Sequence, residues 1–487
     1  FRQGMGFAEV LVAVAMVLTA IYLLRRRRHD NQPWSHILDP LSAMMFKGAF
    51  LPTAKVPNCT INACMWFDHL PSYERLRDLL QTQVVERHVE FRSTCEHGKY
   101  GMVWKEMKGF TAADIMIESQ VPSKDDLHAH MESIIAVNIK GYPNRLWELH
   151  YVRAQDGDHG MLIFRIEHCI ADGLALMKVL LNIVTDTEGN EICIPAAIAA
   201  KVKAAEKAAK GQPRRKFSVR TLLKWGAVVL DVLVAAWRAA MMGKGKYDTV
   251  TPLNPFGKGQ ATPTYCTGPA VVRIPPHSLE TVKQIKNAAQ STINDVVFTC
   301  TAGALRRYCQ EQNVDMDGAA VSVRALVPVG FPHDPNSMKL GNNWGFVSVP
   351  FPVQEREPQS RLSRCQLNWR TVKTTLFAPV SLWISNFVSS TLPPFFARDA
   401  TTQMMARHSM VFSNVPGPEK PILLAGAQMG EIQMVYPNVI TQFGLISYNG
   451  TLYGNFTLDP QRVPNSSRVA ELYVEELQAL AKAYAVE

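Results

Sequence analysis

Two short runs, Leu-Trp-Glu-Leu-His-Tyr-Val from Leu146 to Val152 and Met-Leu-Ile-Phe-Arg-Ile-Glu from Met161 to Glu167, are rich in aliphatic, aromatic and β-branched residues and predict strands. Directly after the second, Leu174, Met177, Leu181 and Val184 recur at helical spacing, so a helix follows. The turn-forming stretch Thr185 to Asn190 stops it. Further on, Ile285 to Leu305 reads as mostly helical, with Ile293, Val296, Val297 and Cys300 on one face and Asn294-Asp295 beside it. Val321 to Val329 and Trp344 to Val353 read as strands that contain prolines, which places them at sheet edges or strand ends. The regions 33–194 and 251–487 therefore both mix strand and helix, and no internal repeat relates them.

Two apolar stretches stand outside this pattern. Val10 to Leu24 carries no charge, and counted back past Glu9 to Met5 it approaches the span of a bilayer. Arg25 to Arg28 follow it, which favours that end staying in the cytosol; a cleaved signal peptide would carry its charges before the apolar run. Residues 1–32 are thus expected to be a membrane anchor with a basic flank. The second stretch, Leu222 to Met242, is interrupted by Lys224, Asp231 and Arg238, seven apart and so on one narrow helical face. Two readings stand side by side: a helix in the membrane interface with Trp225 and Trp237 near the headgroups, or a helix packed on the protein. Before it, Pro195 to Lys210 is rich in Ala and Lys, and Gly211-Gln-Pro213 breaks it. Residues 195–250 read as a basic amphipathic linker between a domain at 33–194 and a domain at 251–487.

Composition narrows the class. At 487 residues two domains are expected, and 47% hydrophobic with 19% charged residues suits a globular chain. The net charge of +9 suits an anionic membrane or a phosphate-bearing substrate; with no zinc-finger, RNA-sheet or basic-zipper motif, nucleic acid is not expected as a partner. Nine scattered cysteines with no CxxC pair argue against a disulfide framework or a zinc site and for a reducing compartment. Four glycosylation sequons, at Asn58, Asn449, Asn455 and Asn465, carry weight only with lumenal exposure.

The candidate chemistry lies in Glu167-His-Cys-Ile-Ala-Asp-Gly173. A residue at a strand-to-helix junction projects from a rigid scaffold into a cleft, and histidine serves as a base near neutral pH. Asp172 suits ordering the turn, capping the helix or pairing with an arginine, and Gly173 suits a tight turn. A hydrogen-bonded structural histidine is the plain alternative at such a place.

These residues resemble those of the wax ester synthase/diacylglycerol acyltransferase family, which carries His-His-x-x-x-Asp-Gly here, about 20 residues after a Pro-Leu-Trp motif. In this chain Leu146-Trp147 stand at that spacing, with Arg145 in place of the proline and Glu167 in place of the first histidine. His168 and Asp172 keep the His-x-x-x-Asp pair shared with the wider superfamily that includes chloramphenicol acetyltransferase. Asn294-Asp295-Val-Val297, Arg324 to Val329, Gly341-Asn342, Ser413-Asn-Val-Pro-Gly-Pro418 and Ser447-Tyr-Asn-Gly450 resemble later family blocks, in family order.

The resemblance implies an α/β fold: two chloramphenicol-acetyltransferase-like domains with a tunnel at their interface, plus the N-terminal membrane helix. It implies an acyl-CoA-dependent O-acyltransferase whose partners are acyl-CoA, a fatty alcohol or diacylglycerol, and a membrane, without a metal or resident cofactor. Catalysis would fall to His168 as base, with Asp172 holding the turn. The substrate-side candidates are Glu167, Gly173, Trp147, Asn294, Asp295, Ser413 and Asn414, with Asn294 or a group near Ser413 as oxyanion donor. The residues themselves allow plainer roles: a helix brace for Asn294 and Asp295, a turn for Ser413 and Asn414, core packing for Trp147. Two other functions stay open, an ester- or amide-forming acyltransferase of the same fold and an inactive lipid-binding relative. The implied location is a membrane, the endoplasmic reticulum or a lipid droplet surface, with the catalytic domains in the cytosol.

Overall fold

The computed structural model describes residues 37–52, 59–98, 101–192, 219–254, 256, 268–318, 320–331, 333 and 339–486, with side chains of the helix that begins at Val219 described from residue 227. The expected N-terminal anchor, the Ala/Lys-rich start of the linker and three basic residues, Arg214, Arg215 and Lys216, lie outside the described residues. In chain order the main strands are β1 (Thr60–Phe67), β2 (Met116–Val121), β3 (Trp147–Ala154), β4 (Gly160–Glu167), β5 (Ala270–Ser278), β6 (Arg324–Gly330), β7 (Trp344–Pro350), β8 (Met410–Pro416), β9 (Glu431–Val435), β10 (Thr441–Tyr448) and β11 (Thr451–Leu458). The main helices are α1 (Pro40–Lys47), α2 (Gly173–Ile183), α3 (Val219–Lys244), α4 (Ile293–Glu311), α5 (Pro358–Thr374), α6 (Phe377–Thr391) and α7 (Pro394–Ala406).

Two mixed sheets organise the molecule, one of five strands in the order β9-β1-β4-β3-β2 and one of six in the order β7-β6-β8-β10-β11-β5. The strands expected at 146–152 and 161–167 are β3 and β4, paired antiparallel in the first sheet. The edge strand β9 comes from the second half of the chain and pairs antiparallel with β1, Asn62 opposite Val435 through Trp66 opposite Glu431. The two halves are therefore interleaved. The aliphatic core under the first sheet likewise takes in Leu340, Trp344, Ile422, Ile432 and Tyr448 from the second half.

Local chemistry explains the element ends nearest the site. The Asp172 carboxylate accepts the amides of Leu174 and Ala175, so α2 starts at Gly173. Gly173 has no positive φ; it is the first residue of the helix, and the tight left-handed turn expected of it is not used. The helix expected over 285–305 is two helices, Leu279–Ala288 and α4. The break falls where Thr292 and Asp295 form a capping box that restarts the chain at Ile293.

β7 is a sheet edge, as expected, whereas β6 lies between β7 and β8. Its pairing with β8 covers only Ala325 and Leu326, opposite Met410 and Val411. Beyond that point Pro328 has no N–H to offer, and the two strands part. The gap between them becomes a wall of the cavity described below.

Helix α3 resolves the two readings of the second apolar stretch in an unexpected way. It packs on α6 and α7. Two of its polar residues turn inward: Asp231 accepts the amide of Leu376 at the start of α6 (3.1 Å), and Arg238 buries its Nη1. Its large apolar residues, Val229, Leu230, Leu233 and Trp237 among them, are exposed. Periodicity locates a thin polar stripe, and its described members, Asp231 and Arg238, face the protein. Among the described residues no helix is long and apolar enough to cross a membrane.

Candidate active site

His168 follows the last residue of β4, where strand alternation sends it and Glu167 to opposite sides. Its amide donates to Cys59 O (2.7 Å) and its carbonyl accepts from Asn342 Nδ2 (2.6 Å), so the backbone of the junction is tied from both sides. Asn342 is itself held by Trp344 Nε1 through its Oδ1 (3.0 Å). The preceding Gly341 is required by packing, because a Cβ there would stand 2.7 Å from Asp39 Oδ2. The imidazole lies near Trp344 (ring centres 5.5 Å apart) and edge-on to Tyr436 (5.9 Å). Its Nδ1 is buried with no hydrogen-bond partner in the protein. Burial lowers the imidazole pKa despite the opposing carboxylate charge of Asp172, so the neutral form that a general base needs is favoured near pH 7.

Asp172 has both carboxylate oxygens occupied. Oδ1 caps α2, while Oδ2 accepts the Asn343 amide (2.8 Å) and faces His333 Nε2 (2.8 Å). Burial alone would raise its pKa; the His333 hydrogen bond and charge, with the amides of Ala175 and Asn343, outweigh that and lower it. His333 is held above the ordinary histidine value by the same pair, against the effect of its own burial. None of these bonds goes to the His168 ring. They lash the start of α2 to the loop between β6 and β7.

His168, Asp172, Gly173, Asn294, Ser413 and Asn414 all line one open cavity bordered by both halves of the chain. Across it from His168 runs β8, whose Asn414 Nδ2 donates to Asn294 Oδ1 (2.6 Å) at the start of α4. With that oxygen engaged, what Asn294 presents to a ligand is its amide protons. The other three candidates do not line this cavity. Glu167 is buried and accepts from Thr60 Oγ1 (2.9 Å). Trp147 is buried in the core, donating Nε1 to Phe91 O (2.6 Å) and packing edge-on against Phe91. Asp295 is buried in the capping box and paired with Lys373 Nζ (3.1 Å). Lys373, Tyr436 and Trp344 line the cavity too, and sequence reasoning did not single them out. The seven described cysteines are buried and free.

A histidine on one wall and a side-chain amide on the other, in a large cavity between two sheets, can deprotonate a nucleophile and receive a developing oxyanion. Comparison with known proteins agrees with that chemistry. The wax ester synthase/diacylglycerol acyltransferase catalytic domain matches residues 122–297, and the C-terminal domain of the same family matches residues 340–481. The Arabidopsis thaliana protein named wax ester synthase/diacylglycerol acyltransferase 10 is 24% identical over 379 residues, 69% of this chain and 74% of that one. A putative diacylglycerol O-acyltransferase of Mycobacterium bovis is 24% identical over 60% of this chain and 58% of its own length. Among solved structures, the wax ester synthase/diacylglycerol acyltransferase of Marinobacter aquaeolei VT8 superposes with a TM-score of 0.59 at 15% identity, over 92% of this chain and all (100%) of that one. The first condensation domain of the calcium-dependent antibiotic synthetase superposes at 0.55 and 14% identity, over 92% and 96% of the two chains. The fold is thus the two-domain α/β fold of CoA-dependent acyltransferases and condensation domains, and the chain belongs to the wax ester synthase/diacylglycerol acyltransferase family.

Proposed function

We propose that this protein transfers a fatty acyl group from acyl-CoA to the hydroxyl of a fatty alcohol or diacylglycerol, giving wax ester or triacylglycerol. The observation that carries the reading is His168, an imidazole kept neutral by burial on the wall of a cavity built by both halves. His168 takes the hydroxyl proton as the alcohol oxygen bonds to the thioester carbonyl carbon. Asn294, steadied by Asn414, donates to the oxyanion. The intermediate collapses by breaking the carbon–sulfur bond, and the imidazolium returns the proton to the departing thiolate. Asp172 serves as a positioning residue, since its bonds go to the α2 amides, Asn343 and His333.

The acceptors partition into lipid, and the outer surface suits a membrane. Trp237 and Leu233 on α3, Trp383 on α6 and Phe395 and Phe396 on α7 are exposed on adjoining helices. Arg214, Arg215 and Lys216 precede α3 in sequence and Lys244 and Lys246 end it, which complements anionic headgroups. The proposed location is the cytosolic face of the endoplasmic reticulum or a lipid droplet, consistent with Arg25 to Arg28 after the N-terminal apolar run.

Incubating the purified full chain with palmitoyl-CoA, with and without hexadecanol, monoacylglycerol or diacylglycerol, tests the reaction. Thiol release coupled to ester formation is expected only with an acceptor. Thiol release that ignores acceptors, or no consumption with any of them, overturns the reading.

A further inference from the structure

The described part of the loop between β6 and β7 grips the turn from His168 to Asp172 at four points. Asn342 Nδ2 donates to His168 O (2.6 Å), and Gly341 O accepts the Asp172 amide (3.1 Å). The Asn343 amide (2.8 Å) and His333 Nε2 (2.8 Å) both meet Asp172 Oδ2. The base of the loop is closed by Phe331, whose amide donates to Asn343 O (2.8 Å). Gly330, at the end of β6, lies hard against the first turn of α2, where a Cβ on it would stand 2.9 Å from Leu174 Cδ1.

Three of these four ties are donated by backbone or side-chain amides, whose charge does not change with pH. The fourth donor is a histidine, and it forms an ion pair with a buried carboxylate. The other charged groups around His333 are Asp39, just before α1, and Lys178, on α2. Lys339, on the same loop, stands by Asp39 and donates to Ile37 O (3.2 Å). Burial of His333 works against its protonation, but the hydrogen bond and charge of Asp172, with the charge of Asp39, outweigh burial and Lys178.

We propose that His333 is a positioning residue for acyl transfer: its imidazolium holds Asp172, and through Asp172 the turn that carries His168, so turnover falls when His333 gives up its proton. The proposal rests on the acyl-transfer reading. A charge-assisted hydrogen bond is roughly twice as strong as a neutral one, and a reacting group displaced by about 1 Å costs about 10²-fold in rate. A tie weakened without being broken is therefore expected to cost about tenfold in kcat, with KM within a few-fold.

The test compares the full chain with His333→Arg and His333→Gln, in detergent with palmitoyl-CoA and hexadecanol, from about pH 6 to pH 9. His333→Lys replaces the arginine variant if that one folds poorly. Wild-type kcat is expected to fall about tenfold through one ionisation above the ordinary histidine value of about 6.5. The arginine variant, cationic throughout, should keep its kcat across that range, and the glutamine variant should stay at the low level throughout. A wild-type alkaline limb retained in either variant, or wild-type kcat in the glutamine variant at about pH 6, overturns the proposal. Denaturation midpoints separate this failure from failure of the acyl-transfer reading. A histidine whose pKa is raised on folding stabilises fully below about 6.5, and that stability is lost as pH rises through the folded value. The stability gap between wild type and His333→Gln should therefore shrink towards pH 9. A gap independent of pH overturns the ion pair. A shrinking gap in a wild type that forms no ester retains the ion pair and removes the proposed reaction.

Discussion

His408 and His168 are both kept neutral by burial but differ in what surrounds the ring. His408, just after α7, donates from Nδ1 to Met404 O (2.7 Å) and accepts at Nε2 from Ser348 Oγ (2.9 Å). Burial, with the positive charge of Arg324, pushes its pKa down to about 3. His168 is lowered by burial too, yet its Nδ1 has no partner and its ring borders a cavity. Burial alone therefore does not mark a catalytic imidazole. A ring bonded at both nitrogens inside the core is framework; one that borders a ligand-sized cavity is available for chemistry.

The sharpest way to break this contrast is His168→Ala. Removing a general base is expected to lower turnover by about 10²–10⁴-fold while the denaturation midpoint stays near wild type. Wild-type turnover would make the two histidines equivalent. In the wild type, the acidic limb of kcat/KM should lie below the ordinary histidine value of about 6.5, since burial lowers the His168 pKa.

Asp172→Ala should strike both properties. It removes the α2 cap and the tie to His333, and about 2 kcal/mol or more of stability should go with part of the activity. A variant of unchanged stability that loses only the chemical step would reassign Asp172 to direct catalysis.

His408→Gln should cost about 1–3 kcal/mol at neutral pH through Met404 O and Ser348 Oγ, with activity per folded molecule unchanged. The pH dependence supplies the sign. An imidazole whose pKa is lowered on folding takes up protons on unfolding, so its contribution to stability is present above about 6.5 and is lost as pH falls towards about 3. Chemical denaturation between these limits should show the variant losing stability less steeply than wild type.

The smallest effect on chemistry is expected from Leu233→Glu with Trp237→Glu, which touches neither histidine. In a chain lacking residues 1–28, turnover in detergent should match that of the same chain without the two substitutions, while sedimentation with anionic vesicles should drop by about tenfold. Unchanged sedimentation would show that another part of the chain holds the membrane.

The local parts of this site were legible in the sequence. Strand, junction histidine, capping aspartate and following helix lie within about 25 residues, where apolar alternation and helical spacing report directly on the fold. His333, Tyr436, Trp344 and Lys373 were not legible, because only the folded chain brings the first three to His168 or Asp172 and Lys373 to the cavity wall. Asp295 shows a different limit: an Asn-Asp pair reads as one motif, yet Asn294 lines the cavity and Asp295 caps a helix. The orientation of α3 was hidden for a physical reason as well. Spacing identifies the residues that share a face but carries no information about what that face meets.

The borrowed strand β9 has a consequence for how the protein is made. A ribosome delivers β1 long before residues 431–435. Until they arrive, one backbone edge of β1 stands unpaired, with Cys64 and Met65 in it. Open edges of that kind recruit other chains. Closing the sheet then requires a contact across some 370 residues, which makes the last step slow. The first half is thus expected to wait, sheltered by chaperones, for its last strand. Once β9 is in place neither half can open without disturbing the other, so one cooperative transition should unfold both.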